Sequence, residues 1–493
     1  MARKEIEKYQ DFTAFIDTIE KEGISPQLLS KIITRHRPNS KYNEKLYRRY
    51  QAIDGGVPIF KREPRYGEAD PINNKVNNDF FSEIVDFKTG YFAGKPISYG
   101  YSSNEEAKKV TGGAEAVEKA TKTLTDFTTR NNMYGVDMET TKFASIYGYA
   151  GRLFYIDLEG EERVMPVHGY ETIILSKTDI SEPQYAIRYY KTYDINNNIE
   201  WIVEFYDGVN IYTYKGMLSA LVQYGEPERH LFDYCPLQGI ANNKELIGDA
   251  EKVLALIDDY DKVLSDNSNE IESFVHALML VSVNVPEGFL REAQKSGSLI
   301  IPAVGANAVQ EPIKWLTKNI DDAFTEHHLQ RIEDNIYRFS RTPNLNDETF
   351  GSASGISLKF KLHGLEAKCG MFEAKMLDAS QYMFKILASA WKKKGIDFDP
   401  LQVTLDFKRN FPLDRLAEAQ AAQAEIGAGL PKQYVFGKMS DVDDVNYIMT
   451  LIEEEKGGIA SLYEDVQEID EQGQTDEMAT NEKLNQVKRG GRN

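Results

Sequence analysis

From Leu358 onward apolar residues step by three and four through Leu362, Leu365, Cys369, Phe372, Met376, Ala379, Met383, Leu387 and Ala390. That spacing marks one face of an α-helix. Carried over Ile356–Lys394, it predicts a rod of about 58 Å at 1.5 Å per residue, far longer than an ordinary globular helix. A helix of that length needs a large body to cover it. Gly364 and Gly370 interrupt the stretch and are the expected bending points, each costing about 1 kcal/mol relative to Ala. Lys392, Lys393 and Lys394 suit the negative end of the dipole, and Gly395 ends the helix. Upstream, Pro343 closes whatever precedes it. Asn344, Asn346, Asp347, Gly351, Ser352, Ser354 and Gly355 then offer nothing to bury. The long helix is launched from a polar loop that the scaffold presents.

A second pair of helices is written just before it. Val253, Ile257, Tyr260, Leu264, Asn267, Ile271, Phe274, Leu278 and Val281 alternate steps of four and three, a heptad seam with one polar position. The reading is a helix over Ile247–Ser282, about 54 Å long. Residues 283–318 carry three prolines among short apolar runs and read as a compact β insertion. Asn319 caps a returning helix with Asp321 and Asp322 in its first turn and Leu329, Ile332, Ile336 and Phe339 on its apolar face. Two helices, out and back, with a β module at the tip form a stalk.

The remainder predicts an α+β fold. Glu5–Glu22 and Pro26–Arg37 read as amphipathic helices, with Ser25 the N-cap of the second. Asn73–Ile97, Ala114–Asn131 and Tyr134–Tyr147 read as further helices. From Gly151 the period changes to two. Leu153–Asp157, Arg163–Met165, Thr172–Leu175, Gln184–Tyr193, Glu200–Tyr206 and Asn210–Tyr214 predict an antiparallel meander. Leu401–Phe407 reads as a strand rejoining this first domain, and Leu413–Ile426 and Asp441–Glu455 as helices of a separate piece. Beyond Gly457 the chain turns acidic and poor in bulky apolar residues.

Composition narrows the function classes. The net charge is −19 across 493 residues, which argues against a protein that grips nucleic acid by releasing phosphate counterions. Two cysteines, Cys235 and Cys369, are too few for a disulfide framework and point to a reducing compartment. The N-terminus lacks an apolar signal core, and the longest apolar run, Phe274–Val285, is too short and too polar to span a bilayer. The expectation is a soluble protein made in a cytoplasm.

Catalytic signatures fail on inspection. Gly90–Lys95 (G-Y-F-A-G-K) is one residue short of a phosphate loop and is followed by Pro96, so no hydroxyl could hold Mg²⁺; it reads as a helix end. Asp194–Glu200 lacks the sharp-turn Gly of a calcium loop and has Phe205 where the closing Glu belongs, so it reads as a hairpin turn. His327 and His328 are adjacent and point about 100° apart on a helix, and His363 and Cys369 lack partners. The carboxylates of Asp258–Asp261 and Asp441–Asp444 read as solvated helix faces rather than a metal-dependent hydrolase site. No enzyme, cofactor or metal is expected. A coiled-coil-type oligomeric scaffold accounts for these parts as an alternative.

Taken in order, the parts resemble the portal protein of tailed bacteriophages, of the type found in long-tailed phages of Gram-positive hosts. The resemblance is carried by N-K-V-N-N-D-F-F-S-E-I-V-D-F-K-T-G-Y-F-A-G-K-P-I (Asn74–Ile97), I-G-D-A-E-K-V-L-A-L-I-D-D-Y-D-K-V-L-S-D (Ile247–Asp266) and G-S-A-S-G-I-S-L-K-F-K-L (Gly351–Leu362). It implies a homo-oligomeric ring, normally a dodecamer, at one capsid vertex, assembled in the host cytoplasm and carried in the virion. Its channel would pass double-stranded DNA during packaging and ejection. Implied partners are the terminase, a head-completion adaptor, and the major capsid and scaffolding proteins, with no membrane. The wing would be 1–246 with 395–412, the stem 247–282 with 319–341, and the clip 283–318. The tunnel loop would be 342–355, the long wing helix 356–394, the crown 413–457 and an acidic tail 458–493. Channel residues would be Asn344, Asn346, Asp347, Glu348, Thr349, Ser352, Ser354, Lys359 and Lys361. Stem packing would fall to Val253, Ile257, Tyr260, Leu264, Ile271, Phe274 and Leu278, and clip contacts to Phe289, Arg291, Lys295 and Trp315.

Overall fold

The computed structural model describes residues 11–64, 72–193, 195–275, 279–282, 298–301, 313–315, 322–344, 355–410, 415–439, 442, 445 and 448–452. The chain divides into two units, Met1–Asn410 and Phe411–Asn493. The first opens with helices α1 (Thr13–Glu22) and α2 (Pro26–Tyr50). Ser25 caps α2 as expected, its hydroxyl accepting the Leu28 N–H at 3.2 Å. The helix does not stop before Pro38 but runs through it to Tyr50. Pro38 removes one backbone donor, yet the buried stripe continues on its far side through Asn39, Asn43, Leu46 and Arg49, so packing outweighs the lost bond.

Next come α3 (Phe80–Ala93), β1 (Ser98–Tyr101), α4 (Glu105–Thr111), α5 (Ala114–Arg130) and α6 (Met133–Tyr147). The sheet region follows with β2 (Tyr149–Ile156), β3 (Glu162–Val167), β4 (Thr172–Leu175), β5 (Tyr185–Tyr193), β6 (Ile199–Tyr206), β7 (Asn210–Met217), β8 (Ala220–Gln223), β9 (Glu228–Arg229) and β10 (Leu237–Ala241). The expected single meander is two sheets. Strands β4-β5-β6-β7-β8 form an antiparallel meander to which β9 adds beside β7, whereas β2 and β3 join β10 in the order β10-β2-β3. Alternation explains the division of labour. Ile187, Tyr189, Val203, Phe205 and Tyr214 meet Ile16, Leu29, Ile32 and Ile33 of α1 and α2, while Ala186 and Tyr206 on the other face meet Leu153, Val167 and Leu237.

The chain then gives α7 (Leu254–Val275), β11 (Met279–Ser282), β12 (Ser298–Ile301), β13 (Ile313–Trp315), α8 (Asp322–Ser340), α9 (Gly355–Lys393) and β14 (Val403–Asp406). The helix expected over Ile247–Ser282 is shorter. It is 22 residues long, about 33 Å, and Met279–Ser282 is instead a strand, parallel to β12 and antiparallel to β13. Strand β14 pairs with β1, so the chain does rejoin its first part. The second unit holds α10 (Arg415–Gly427) and α11 (Lys432–Lys438), joined by contact and by a Lys438–Glu425 pair at 3.6 Å.

Helix α9 organises the first unit. It is continuous for 39 residues through both glycines, and every expected face residue from Leu362 to Ala390 is buried. Its C-terminal half lays Met383, Leu387 and Trp391 against Val117, Leu124 and Phe127 of α5 and Phe154 and Val164 of β2 and β3. Gly395 stops it in a left-handed conformation, φ +72°. The Gly395 N–H bonds the Lys392 carbonyl and the Ile396 N–H the Trp391 carbonyl, both at 3.0 Å, a Schellman closure.

Candidate functional site: the helix hairpin and its socket

Helices α7 and α8 pack together as an out-and-back pair. Val253 just ahead of α7 and Ile257 within it are buried, as are Leu329, Ile332, Ile336 and Tyr337 of α8. Phe80, at the start of α3, wedges between them, its ring edge-on to Tyr260 at 5.0 Å and to Tyr337 at 5.9 Å. The Tyr337 hydroxyl donates to Glu83 at 3.0 Å. Burial of that carboxyl raises its pKa, with the tyrosine opposing. The rest of the heptad seam departs from expectation. Tyr260 and Leu264 are half-buried and Ile271 is 65% exposed, as is Phe339 of α8 at 54%.

Beyond Ile257, the face of α7 that is buried is polar. Asp261, Ser265 and Asn269 are at most 8% exposed, and an extended segment, 72–79, lies along them. The Asn78 N–H donates to Asp261 at 2.8 Å, the Val76 N–H to Ser265 at 2.9 Å and the Asn74 N–H to Asn269 at 2.7 Å. The match is metric: four helical residues rise about 6 Å and two extended residues about 6.6 Å, so every second strap amide meets one side chain per turn. The helix read over Asn73–Ile97 therefore begins only at Phe80, because its first residues spend their amides on α7. Asp261 is likewise not part of a solvated face, because the strap covers it, whereas Asp258 stays partly exposed while pairing with Arg49 at 2.5 Å.

The root of the hairpin is a buried ionic socket. The chain enters it at Leu246 with φ +54°, and Gly148 lies so close that a Cβ there would sit 2.0 Å from the Leu246 carbonyl oxygen. The Asp249 carboxylate then receives Lys88 of α3 at 2.9 Å, Lys368 of α9 at 3.3 Å and the Ser145 hydroxyl of α6 at 2.5 Å. Burial alone would raise this carboxyl, but the two ammonium groups hold it well below the usual range. A second buried cluster lies under the middle of α9. Arg152 of β2 pairs with Asp137 at 2.5 Å, donates to Thr140 and stands beside the sulfurs of Met376 and Met383. Tyr99 donates to Asp137, whose carboxyl burial raises against the pull of Arg152. At the far side Arg409 ties Glu366 and Glu373 of α9, the latter at 2.6 Å.

Asn344 donates to Glu333 of α8 at 3.2 Å, fixing the last described residue before the loop. Asn346, Asp347, Glu348, Thr349, Ser352 and Ser354 lie outside the described residues, as do Leu278, Phe289, Arg291 and Lys295. Lys359 falls in the first turns of α9, Lys361 follows it half-buried, Phe274 lies in the last turn of α7, and Trp315 ends β13. Sequence reasoning missed the strap and both ionic clusters. The available signal was Asp261, Ser265 and Asn269 at four-residue steps on a face otherwise taken as solvent-facing. Among the described residues no His, Cys, Asp or Glu group converges as a metal site, and no helix is long and apolar enough to cross a membrane. Burial pushes the Cys235 and Cys369 thiols up to about 12 and about 11, which leaves them poor nucleophiles.

Comparison with known proteins covers most of the chain. Residues 29–477 match the family described as phage portal protein, SPP1 Gp6-like. The portal protein of Bacillus phage SPP1 is 23% identical over 427 residues, covering 82% of this chain and 80% of its own length. The portal protein of Clostridium phage phiCD119 is 25% identical over 414 residues, covering 80% of this chain and 87% of its own length. With the match spanning the strap, the hairpin, the socket and α9, the chain belongs to the SPP1 Gp6-like family of phage portal proteins.

Proposed function

We propose that copies of this chain assemble into a closed ring at one capsid vertex, enclosing a channel through which double-stranded DNA enters during packaging and leaves during ejection. The observation that carries the reading is the family match along residues 29–477, and the hairpin rooted in a charged socket beside a 39-residue helix supports it. In this reading the body up to β10, together with β14, is the wing, α7 and α8 are the stem, and the three strands between them belong to the clip. The second unit supplies the crown. The segment 342–355 is the loop facing DNA, with Lys359 and Lys361 behind it. The terminase and later a head-completion adaptor dock at the clip, and scaffolding and major capsid proteins meet the wing. An acidic subunit with a polar, Gly- and Ser-containing loop suits the task, because each cation engaging a phosphate adds affinity that translocation must break.

Ile257 is consumed inside the chain, so contact between neighbours in the ring falls to the outward part of the seam, Ile271 above all. Negative-stain images of purified protein should show closed rings with a central hole. Ile271→Asp should abolish those rings in native mass spectrometry while leaving far-ultraviolet circular dichroism intact. Monomers or open rods from the wild-type chain, with the fold sound, end the reading in favour of a plain helical scaffold.

A further inference from the structure

Lys368 makes two contacts whose combination is not explained by packing alone. Its ammonium donates to the Ser340 carbonyl at 2.9 Å and pairs with Asp249 at 3.3 Å. Ser340 is the last residue of α8, so its carbonyl belongs to the set that no intrahelical donor satisfies, at the negative end of that helix's dipole. Asp249 is five residues ahead of α7 and is held by backbone as well, its N–H bonded to the Ser145 carbonyl at 2.8 Å. One ammonium, projecting from α9, thus caps the foot of α8 and neutralises the foot of α7. The side chain is only 12% exposed, so both contacts operate with little solvent screening.

We infer that Lys368 is a mechanical joint: it locks the feet of α7 and α8 to α9, so that the hairpin and the long helix move as one body. Its surroundings fit a joint rather than a passive core position. Lys88 meets the other Asp249 oxygen at 2.9 Å and lies over the Phe372 ring at 4.4 Å, one turn of α9 beyond Lys368. The socket therefore already holds a counter-ion for Asp249 without Lys368, and Lys368 is the group that brings α8 into the same network. Gly364 of α9 faces Arg341 just past the foot of α8, where a Cβ would stand in ordinary contact at 3.5 Å. Lys368 is a positioning residue, acting on α7 and α8 through Asp249 and the Ser340 carbonyl.

Hydrogen–deuterium exchange on the full chain tests this without reference to packaging activity. Lys368→Met keeps the aliphatic stem and removes the charge. Amides of residues 249–254 and 337–342 should exchange at least tenfold faster, while those of the β6–β7 hairpin, 199–217, keep their wild-type rates. Lys368→Arg, which restores a cation, should recover most of the protection at both feet. Lys368→Gln keeps a donor for the Ser340 carbonyl without the charge and serves should the Met variant fail to fold; it should free 249–254 and spare 337–342. Unchanged exchange at both feet overturns the joint, and so does a uniform acceleration that includes 199–217, which marks a general loss of stability. Either result leaves the ring reading standing, because that depends on contacts between copies.

Discussion

The strap along α7 permits a quantitative test from a single atom. Ser265 is fully buried and its hydroxyl accepts the Val76 N–H at 2.9 Å while donating to the Asp261 carbonyl of its own helix at 2.6 Å. Ser265→Ala removes the acceptor and adds no bulk, leaving the Val76 N–H buried without a partner. Stranding one such donor costs about 1–3 kcal/mol, which corresponds to roughly 5- to 150-fold easier opening of the strap. The neighbouring bonds from Asn74 and Asn78 share the same short segment, so their amides should loosen with Val76. The assay is residue-resolved hydrogen exchange, read at Asn74, Val76 and Asn78 against the amides of β5 and β6. Acceleration confined to the strap supports the ladder. Equal rates in mutant and wild type at those three amides would refute the claim that Ser265 carries the strap, and equal acceleration in β5 and β6 would show that the mutation acts on the whole fold.

Two further outcomes follow from buried ionisable groups. Burial, reinforced by Arg37, pulls the His36 imidazole from its ordinary 6.5 down to about 3, so the folded chain holds it neutral while the unfolded chain protonates it. Its contribution is complete above pH 6.5 and is lost as pH falls toward 3, amounting to about 3 kcal/mol by pH 4. His36→Gln should therefore flatten the dependence of denaturant midpoint on pH between 6.5 and 4, and an unchanged slope would count against it. Arg152→Met should cost about 3–5 kcal/mol by leaving Asp137 buried without its cation, and adding Asp137→Asn should recover part of that in urea unfolding. A double variant no more stable than the single one would mean that the pair is not coupled.

What the sequence disclosed and what it hid divide along one physical line. Periodicity is visible wherever a face is buried by apolar residues, and α9 was legible almost residue by residue from Leu362 to Ala390. The meander strands and the cap at Ser25 were legible for the same reason: each is a local pattern with a local cause. The hairpin's length was overread because Met279–Ser282 (M-L-V-S) is apolar in either a helix or a strand, and an apolar run of that length carries no period of its own. The strap was invisible because its energy lies in main-chain amides, whose donors are the same in every sequence, and in polar acceptors that resemble a solvated helix face until something covers them. The socket was invisible for a related reason. Lys88, Asp249 and Lys368 are separated by more than a hundred residues each, and nothing local distinguishes a lysine that will be buried from one that will not. That asymmetry bears on function. Apolar contacts join helices along whole faces, as α9 on α5 and Phe80 between α7 and α8, whereas the polar groups join them at single points, at Asp249 for α3, α6 and α9 and at Ser340 for α8. Charged joints are directional and fail singly when a partner is removed, while an apolar interface tolerates small displacement at the cost of contact. On the joint inferred from Lys368, these polar contacts hold the hairpin and the long helix in register alongside the apolar wedge of Phe80 between α7 and α8.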